Sequence, residues 1–381
     1  MELRKMNDKK LNEKIQEIFT HLHEHPEISW KEKQTTSYIK DFLEDEGLKP
    51  QTFPDMTGLY VDIGDGTPRV GFRTDMDALW QEVNGTFQAN HSCGHDGHMT
   101  VALGTVLKLK EMATTLPGAV RIIFQPAEEL GSGAKTLAEQ GVVEPLDYLF
   151  GMHVRPLIEL DDDTYAPALY HGAAKHYTGK IIGTEAHGAR PEEGVNAIEV
   201  AAAIVDGLKR IWISPTESAS IKLTKLQAGG ESSNIIPGNA TFSIDARAQK
   251  NETMETLTAA FEKVVRAVST MYDVTIDYTM EAHIVAAQVD ETAKNIMAQA
   301  ITDVCGDEKR AEAIVTPGGE DFHFYTYSKP ELRATMLGLG CGVTPGLHHP
   351  EMTFNQSRLP TGVEIVTRAI ILVLKRLESG E

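Results

Sequence analysis

The sequence predicts an α/β protein whose larger domain is split by an inserted, smaller α+β domain. Three observations carry this. Short apolar segments alternate with helical patterns over the first 170 or so residues, the texture changes near Gly172, and the earlier alternation returns after Ala282. At 381 residues the chain exceeds one ordinary core. Its 41% hydrophobic and 24% charged content is globular, so neither part is short of residues to bury.

Taken in order, Leu11, Ile15, Ile18, Phe19 and Leu22 recur at helical spacing, and Ser29-Trp30-Lys31-Glu32 has the form of a capping box opening a second helix. Strands are expected over 59–63, 70–72, 120–124 and 146–152, with a helix over about 97–112. The middle region then reads strand (177–183), helix (195–211), strands (220–226 and 240–246), helix (253–270) and strand (274–278). That β-α-β-β-α-β order matches the ferredoxin-like sandwich, a complete domain in itself. A helix from Asp290, a strand near 335–339 and a closing helix follow, the last expected to be capped by Thr361-Gly362-Val363-Glu364. The expected boundaries are 1–171 and 283–381 for the two parts of the larger domain and 172–282 for the insert.

A net charge of −19 repels phosphate backbones and anionic membrane surfaces, which argues against nucleic-acid and membrane partners. The first ten residues lack the apolar stretch of a secretion signal and no later run approaches a membrane span, so a cytoplasmic location is expected. Cys93, Cys305 and Cys341 are odd in number and far apart, which suits free thiols rather than a disulfide framework.

The densest chemical signal is His91-Ser92-Cys93-Gly94-His95-Asp96-Gly97-His98, directly before a helical pattern. Metal ligands crowd into one turn-like segment there, and two glycines free the backbone to wrap Cys93 and His95 around one centre. A capped helix with chance histidines is the plain alternative. Gln125-Pro126-Ala127-Glu128-Glu129 follows the strand ending at Phe124, where open α/β sheets place their sites. One of two adjacent carboxylates can hold a metal while the other moves a proton, though an acidic helix N-terminus would look the same. His153 ends an apolar segment, and Gly346-Leu347-His348-His349-Pro350 offers a histidine in a constrained loop. Strand termini that cluster in space could gather all of these into one site. The alternating His21, His23 and His25 read instead as a helix end before Pro26.

Two further segments, Leu22-His23-Glu24-His25-Pro26-Glu27-Ile28-Ser29 and Arg73-Thr74-Asp75-Met76-Asp77-Ala78-Leu79, join Cys93-Gly94-His95-Asp96-Gly97-His98-Met99 to make the pattern specific. Over nearly its whole length the chain resembles family twenty of the metallopeptidases, in particular the amidohydrolase branch that includes hippurate hydrolases, N-acetyl-diaminopimelate deacetylases and plant auxin-conjugate hydrolases. The resemblance implies a mixed-sheet, zinc-peptidase-like catalytic domain, with the insert as a ferredoxin-like lid and dimerisation domain. By it, Cys93, His95, Glu129, His153 and His348 match the positions that hold two divalent ions (zinc, manganese, cobalt or nickel), with Cys93 in the bridging place. Glu128 matches the general base, and Asp75 an acid that orients a metal-site histidine. Arg73 stands where peptidase relatives carry a metal histidine. His187 matches a histidine that reaches the neighbouring subunit's site and polarises the scissile carbonyl, and Asn234 and Arg247 match substrate-binding lid positions.

The implied activity is hydrolysis of the amide bond of a small N-acyl (acetyl, benzoyl or aryl-acyl) amino acid by metal-activated water, in a homodimer joined through the lid. A dipeptidase or aminoacylase of the same family is the alternative, followed by a cysteine amidase with Cys93 activated by His95 or His98 and by a non-catalytic metal- or peptide-binding protein. Two departures bear on substrate: Pro191-Glu192 stands where the branch commonly has Pro-His, and residues 78–91 differ from its Asp-Ala-Leu-Pro-Ile pattern. Trp80 and Phe87 fall in that altered stretch as candidates for shaping an acyl pocket, and Gly318-Gly319-Glu320-Asp321-Phe322 resembles a loop that borders the site.

Overall fold

The computed structural model describes residues 8–380. In chain order the elements are α1 (Asp8–Glu24), α2 (Lys33–Asp45), β1 (Gln51–Thr52), β2 (Leu59–Ile63), β3 (Val70–Asp75), β4 (Leu79–Val83), β5 (Thr86–Asn90), α3 (His95–Glu111), β6 (Val120–Gln125), α4 (Gly133–Glu139), β7 (Tyr148–Pro156), β8 (Tyr165–Ala166) and β9 (Leu169–His171). There follow β10 (Ala173–Ile182), β11 (Ala186–His187), α5 (Ala197–Leu208), β12 (Ala219–Ala228), β13 (Ile235–Ile236), β14 (Asn239–Ala248), α6 (Asn251–Tyr272) and β15 (Thr275–Ile284). The chain closes with α7 (Glu291–Cys305), β16 (Ile314–Thr316), α8 (His323–Ser328), β17 (Arg333–Val343) and α9 (Leu359–Ser379). Among the described residues no helix is long and apolar enough to cross a membrane.

Two compact units result. The first comprises residues up to Tyr170, Gln288–Val315 and the chain from Asp321 onward; the second comprises His171–Ala287 and Thr316–Glu320. In the first, a seven-stranded sheet runs β1-β2-β6-β3-β7-β17-β8. Its centre, β6-β3-β7-β17, is parallel, and antiparallel strands flank it. Every residue of β3, β6 and β7 is buried, as expected of central parallel strands covered on both faces. Helices α1, α3, α7 and α9 supply Ile15, Leu22, Val106, Met297, Val363 and Ile370 to the same core.

The second unit is a β-α-β-β-α-β segment with sheet order β12-β14-β10-β15 and antiparallel neighbours throughout. Strand β10 alternates buried and accessible residues along its length, so one sheet face packs and the other stays open. Tyr177, Ile181, Val200, Ile204, Phe242 and Phe261 fill the packed side.

Both expected capping boxes fail. Helix α2 begins at Lys33, and Ser29 Oγ donates instead to Asp77 Oδ2 (2.6 Å). Glu32 turns inward to accept from Thr57 Oγ1 (2.6 Å) and Ala127 N (2.9 Å), because tertiary partners outbid a local cap. Helix α9 starts at Leu359 with proline in its first turn, two residues before Thr361. The β4–β5 hairpin is a further departure, since its polar, accessible residues carry a weak alternation signal.

Candidate metal centre

The parallel strands end on one side of the sheet, and β3, β6 and β7 bring Asp75, the Glu128-Glu129 turn and His153 towards the start of α3. Three loops that supply site residues pass through the left-handed region: Gly94 (φ 86°), Ala127 (φ 53°) and His348 (φ 63°). At Gly94 a Cβ would lie 2.5 Å from Val154 Cγ2, so glycine alone lets the Cys93 loop approach β7. At Ala127 the backbone is held by its N–H to Glu32, and the strain is local to the turn that aims the two glutamates. Glu128 and Glu129 therefore sit in a turn ahead of α4, which starts at Gly133, rather than on a helix N-terminus.

Hydrogen bonds assign the imidazole faces. His95 Nδ1 lies 2.8 Å from the Asp77 carbonyl oxygen, an obligate acceptor, so Nδ1 carries the proton and Nε2 presents a lone pair. His153 Nδ1 donates to Val154 O (2.7 Å) in the same way, and its Nε2 is 3.5 Å from Cys93 Sγ. His98 differs: Nδ1 donates to Asp75 Oδ1 (2.7 Å) and Nε2 accepts from Val154 N (3.0 Å), which leaves no lone pair for an ion. Asp75 thus contacts His98, and the carboxylate beside His95 Nδ1 is that of Asp77 (3.2 Å), which also accepts from Glu129 N (3.0 Å).

His95 Nε2 stands 3.8 Å from Glu129 Oε1 and 4.0 Å from Glu128 Oε2, and His348 Nε2 is 3.4 Å from Glu129 Oε2. Donor atoms of Cys93, His95 and His153 fall within 4.8 Å of one another, as do those of Cys93, Glu129 and His348. His349 faces elsewhere, its Nδ1 accepting from Glu351 N (3.1 Å).

Buried His95 Nε2 and Glu129 Oε1 have no hydrogen-bond partner. Such atoms are costly unless something else satisfies them. Ligand atoms each about 2.1 Å from a shared tetrahedral ion stand about 3.4 Å apart, so the observed gaps suit cations. The thiol, imidazole and carboxylate set fits borderline divalent metals.

Electrostatics agree. Burial alone would raise the Asp75 carboxyl, but His95, His98 and Arg73 hold it well below the usual carboxylate range. Burial pulls the His95 ring down, yet Asp75, Cys93 and Asp77 together lift it well above its ordinary value, the mark of a strongly negative surrounding. Burial, then His98 and Arg155, keep His153 well below its ordinary value and therefore neutral. Burial, reinforced by Glu129, pushes the Cys93 thiol well above its ordinary value, so a thiolate there needs a cation.

A second buried layer went unread in the sequence. Arg73 donates to Gln125 Oε1 (2.7 Å), Asp75 Oδ2 (2.8 Å) and Asp321 Oδ1 (2.7 Å). Asp321 also accepts from Gln125 Nε2 (2.8 Å) and Ala134 N (2.9 Å), while its own N–H reaches Glu128 Oε1 (3.3 Å). The legible signal was Asp75-Met76-Asp77, because alternation at a strand end sends both carboxylates to one side. Asp321, far along the chain, was signalled only by the resemblance of Gly318-Gly319-Glu320-Asp321-Phe322 to a loop that borders the site.

In the second unit His187 pairs with Ile235 across β11–β13, beside Asn234, whose carbonyl accepts from Gly188 N (2.7 Å). His187 Nδ1 accepts from Ala189 N (3.0 Å), which makes Nε2 the protonated nitrogen. Arg247 lies at the far end of β14, its guanidinium on Asp245 (3.1 Å) and Pro317 O (3.4 Å). His187 and Asn234 therefore share one end of this unit and Arg247 the other.

Thiol, imidazole and carboxylate donors gathered beside one further carboxylate belong to a metal-dependent hydrolase with a candidate two-ion site. The family model for peptidase family M20/M25/M40 matches residues 71–372, and the chain belongs to that family. It is 28% identical to the N-acetylcysteine deacetylase of Bacillus subtilis (98% of this chain, 100% of that protein). It is 29% identical to an IAA-amino acid hydrolase of Arabidopsis thaliana, ILR1-like 4 (90% of this chain, 82% of that protein). Among solved structures it is similar to a Bacillus subtilis protein described as a dinuclear metal binding peptidase from the M20 family, at TM-score 0.82 and 27% identity over 97% of this chain and 99% of the other.

Proposed function

We propose that the chain is a two-ion amidohydrolase that cleaves the amide bond of small N-acyl amino acids, within the amidohydrolase branch of its family. The observation that carries this is the pair of buried, unpartnered ligand atoms, His95 Nε2 and Glu129 Oε1, facing each other beside Glu128. Cys93, His95, Glu129, His153 and His348 would hold the ions. When bound, two divalent ions (zinc, manganese, cobalt or nickel) acidify an attacking water and polarise the amide carbonyl.

The remaining steps belong to the chain. Glu128, with one oxygen on Asp321 N and the other near His95, takes the proton from the attacking water and returns it to the departing nitrogen. His95 and His153 keep their ligand faces free by donating Nδ1–H to backbone carbonyls, while Asp75 fixes His98 against Val154.

His187, with Nε2–H as donor, is suited to the developing oxyanion, a contact worth about 3 kcal/mol in comparable sites. Arg247 suits the substrate carboxylate and Asn234 a polar group beside His187. Eight residue steps along β14 separate the end near His187 and Asn234 from Arg247, about 25 Å or more at strand rise, too far for one small substrate to bridge. That separation supports a homodimer in which this unit, of ferredoxin-like strand order, serves as lid and dimerisation domain and sends His187 to the partner's site.

Relatives named for N-acetylcysteine deacetylation and for IAA-amino acid hydrolysis support an acyl amino acid as substrate; the relative described as a peptidase keeps dipeptides as the second class to assay. The test is Glu128→Gln. Turnover of N-acetyl, N-benzoyl and indole-acyl amino acids should vanish while the purified protein keeps its metal content. Full activity in that variant rejects Glu128 as base, and no hydrolysis by the metal-loaded wild type of any acyl amino acid or dipeptide rejects the reading.

A further inference from the structure

His348 is the one candidate ligand on a long loop, and its side chain is half exposed, so packing alone does not fix it. Its backbone lies in the left-handed region (φ 63°), which costs a non-glycine residue about 1 kcal/mol and must be held from outside. Both of its backbone polar groups are held. Its N–H donates to Ser92 O (2.7 Å), and its carbonyl accepts from Gln81 Nε2 (2.8 Å). The Gln81 oxygen in turn accepts from Ser92 Oγ (2.7 Å) and Asn90 Nδ2 (3.1 Å), and the Asn90 amide reaches Pro350 O (3.0 Å).

The orientation of the Gln81 amide follows from its partners, because the His348 carbonyl can only accept. Ser92 immediately precedes Cys93, so one side chain ties the cysteine loop to the histidine loop. Those loops deliver Cys93 and His348, two donors that cluster with Glu129. Gln81 lies on β4, and hairpin register puts Trp80, Glu82 and Phe87 on the opposite face, where Trp80 and Phe87 are each 60% exposed. The hairpin presents one polar face to the site and an open aromatic face away from it.

We propose that Gln81 is a positioning residue for His348, and that the β4–β5 hairpin thereby sets the affinity of the ion His348 serves. Gln81 itself touches no ion. Its amide keeps a strained backbone in the one conformation that aims the imidazole at Glu129. The proposal rests on His348 being a ligand, as read above.

The experiment is calorimetric titration of the metal-free 381-residue chain with Co²⁺, comparing wild type, Gln81→Glu, Gln81→Ala and His348→Ala. The near-isosteric Gln81→Glu loses the donor and sets a carboxylate against the His348 carbonyl; Gln81→Ala removes the tether without adding charge. Both should weaken one of two Co²⁺ sites by about 10- to 100-fold and leave the other unchanged, the usual effect of removing a group that orients a ligand. Loss of one site in His348→Ala with wild-type affinities in both Gln81 variants overturns the positioning role and leaves the ligand assignment standing. Two wild-type sites in His348→Ala overturn both. Far-UV circular dichroism of each metal-free variant reads folding independently of metal.

Discussion

Arg73→Met is the sharpest test of the buried layer behind the centre. Arg73 is fully buried and supplies the charge between two fully buried carboxylates, Asp75 (2.8 Å) and Asp321 (2.7 Å). Methionine of similar length fills the space but removes the cation and its hydrogen bonds. Asp75 then keeps His95 and His98 to hold its carboxyl down, and Asp321 keeps the neutral donors Gln125 Nε2 and Ala134 N. Removing one member of a buried ion pair typically costs about 3–5 kcal/mol, because the remaining charge is left desolvated. For a body of this size that is a fall in melting temperature of roughly 6–20 °C. Differential scanning calorimetry at neutral pH should show the loss in the transition of the first unit. Arg73→Lys, which keeps the charge without the planar fork, should fall between. A shift under about 2 °C for Arg73→Met would refute the view that the charge, rather than the shape, of residue 73 sustains this layer.

Other expectations follow from the same geometry. His323 is fully buried, and burial first, then Arg73, hold its ring down to about 3. Between pH 6.5 and about 3 the unfolded chain binds a proton there that the folded chain does not, so this residue's contribution is complete above pH 6.5 and is lost as pH falls through the window. His323→Gln should flatten the acid limb of a urea-midpoint series over that range, by up to about 5 kcal/mol at its lower end; an unchanged limb sinks the assignment. Dialysis against a chelator should abolish hydrolysis and added manganese, zinc, cobalt or nickel should restore it, whereas survival of activity would point to Cys93 as a nucleophile. That outcome would be hard to square with a thiol that burial holds protonated.

The ligand-bearing segments were readable because their chemistry is local. The Cys93 to His98 run, the paired glutamates after a strand, and the long apolar strands of the sheet each announce themselves within a few residues. Partner choice was not local. The sequence left His95 and His98 as alternatives for activating Cys93 and gave Asp75, by resemblance, to a metal-site histidine; in the fold Asp75 and Val154 N saturate His98, and Asp77 faces His95. Ser29 and Glu32 show the same limit: their spacing fits a cap, but Asp77, Thr57 and Ala127 approach from elsewhere in the chain and take both side chains.

By itself the sequence determined the types of the longer elements, the β-α-β-β-α-β segment and the inventory of possible ligands, since periodicity and residue chemistry are properties of short stretches. Only the tertiary structure decided which imidazole nitrogen is free, which carboxylate turns inward and which loop holds His348. Those outcomes depend on hydrogen bonds between residues as distant as Arg73 and Asp321 or Gln81 and His348, and such partners meet only once the chain has folded.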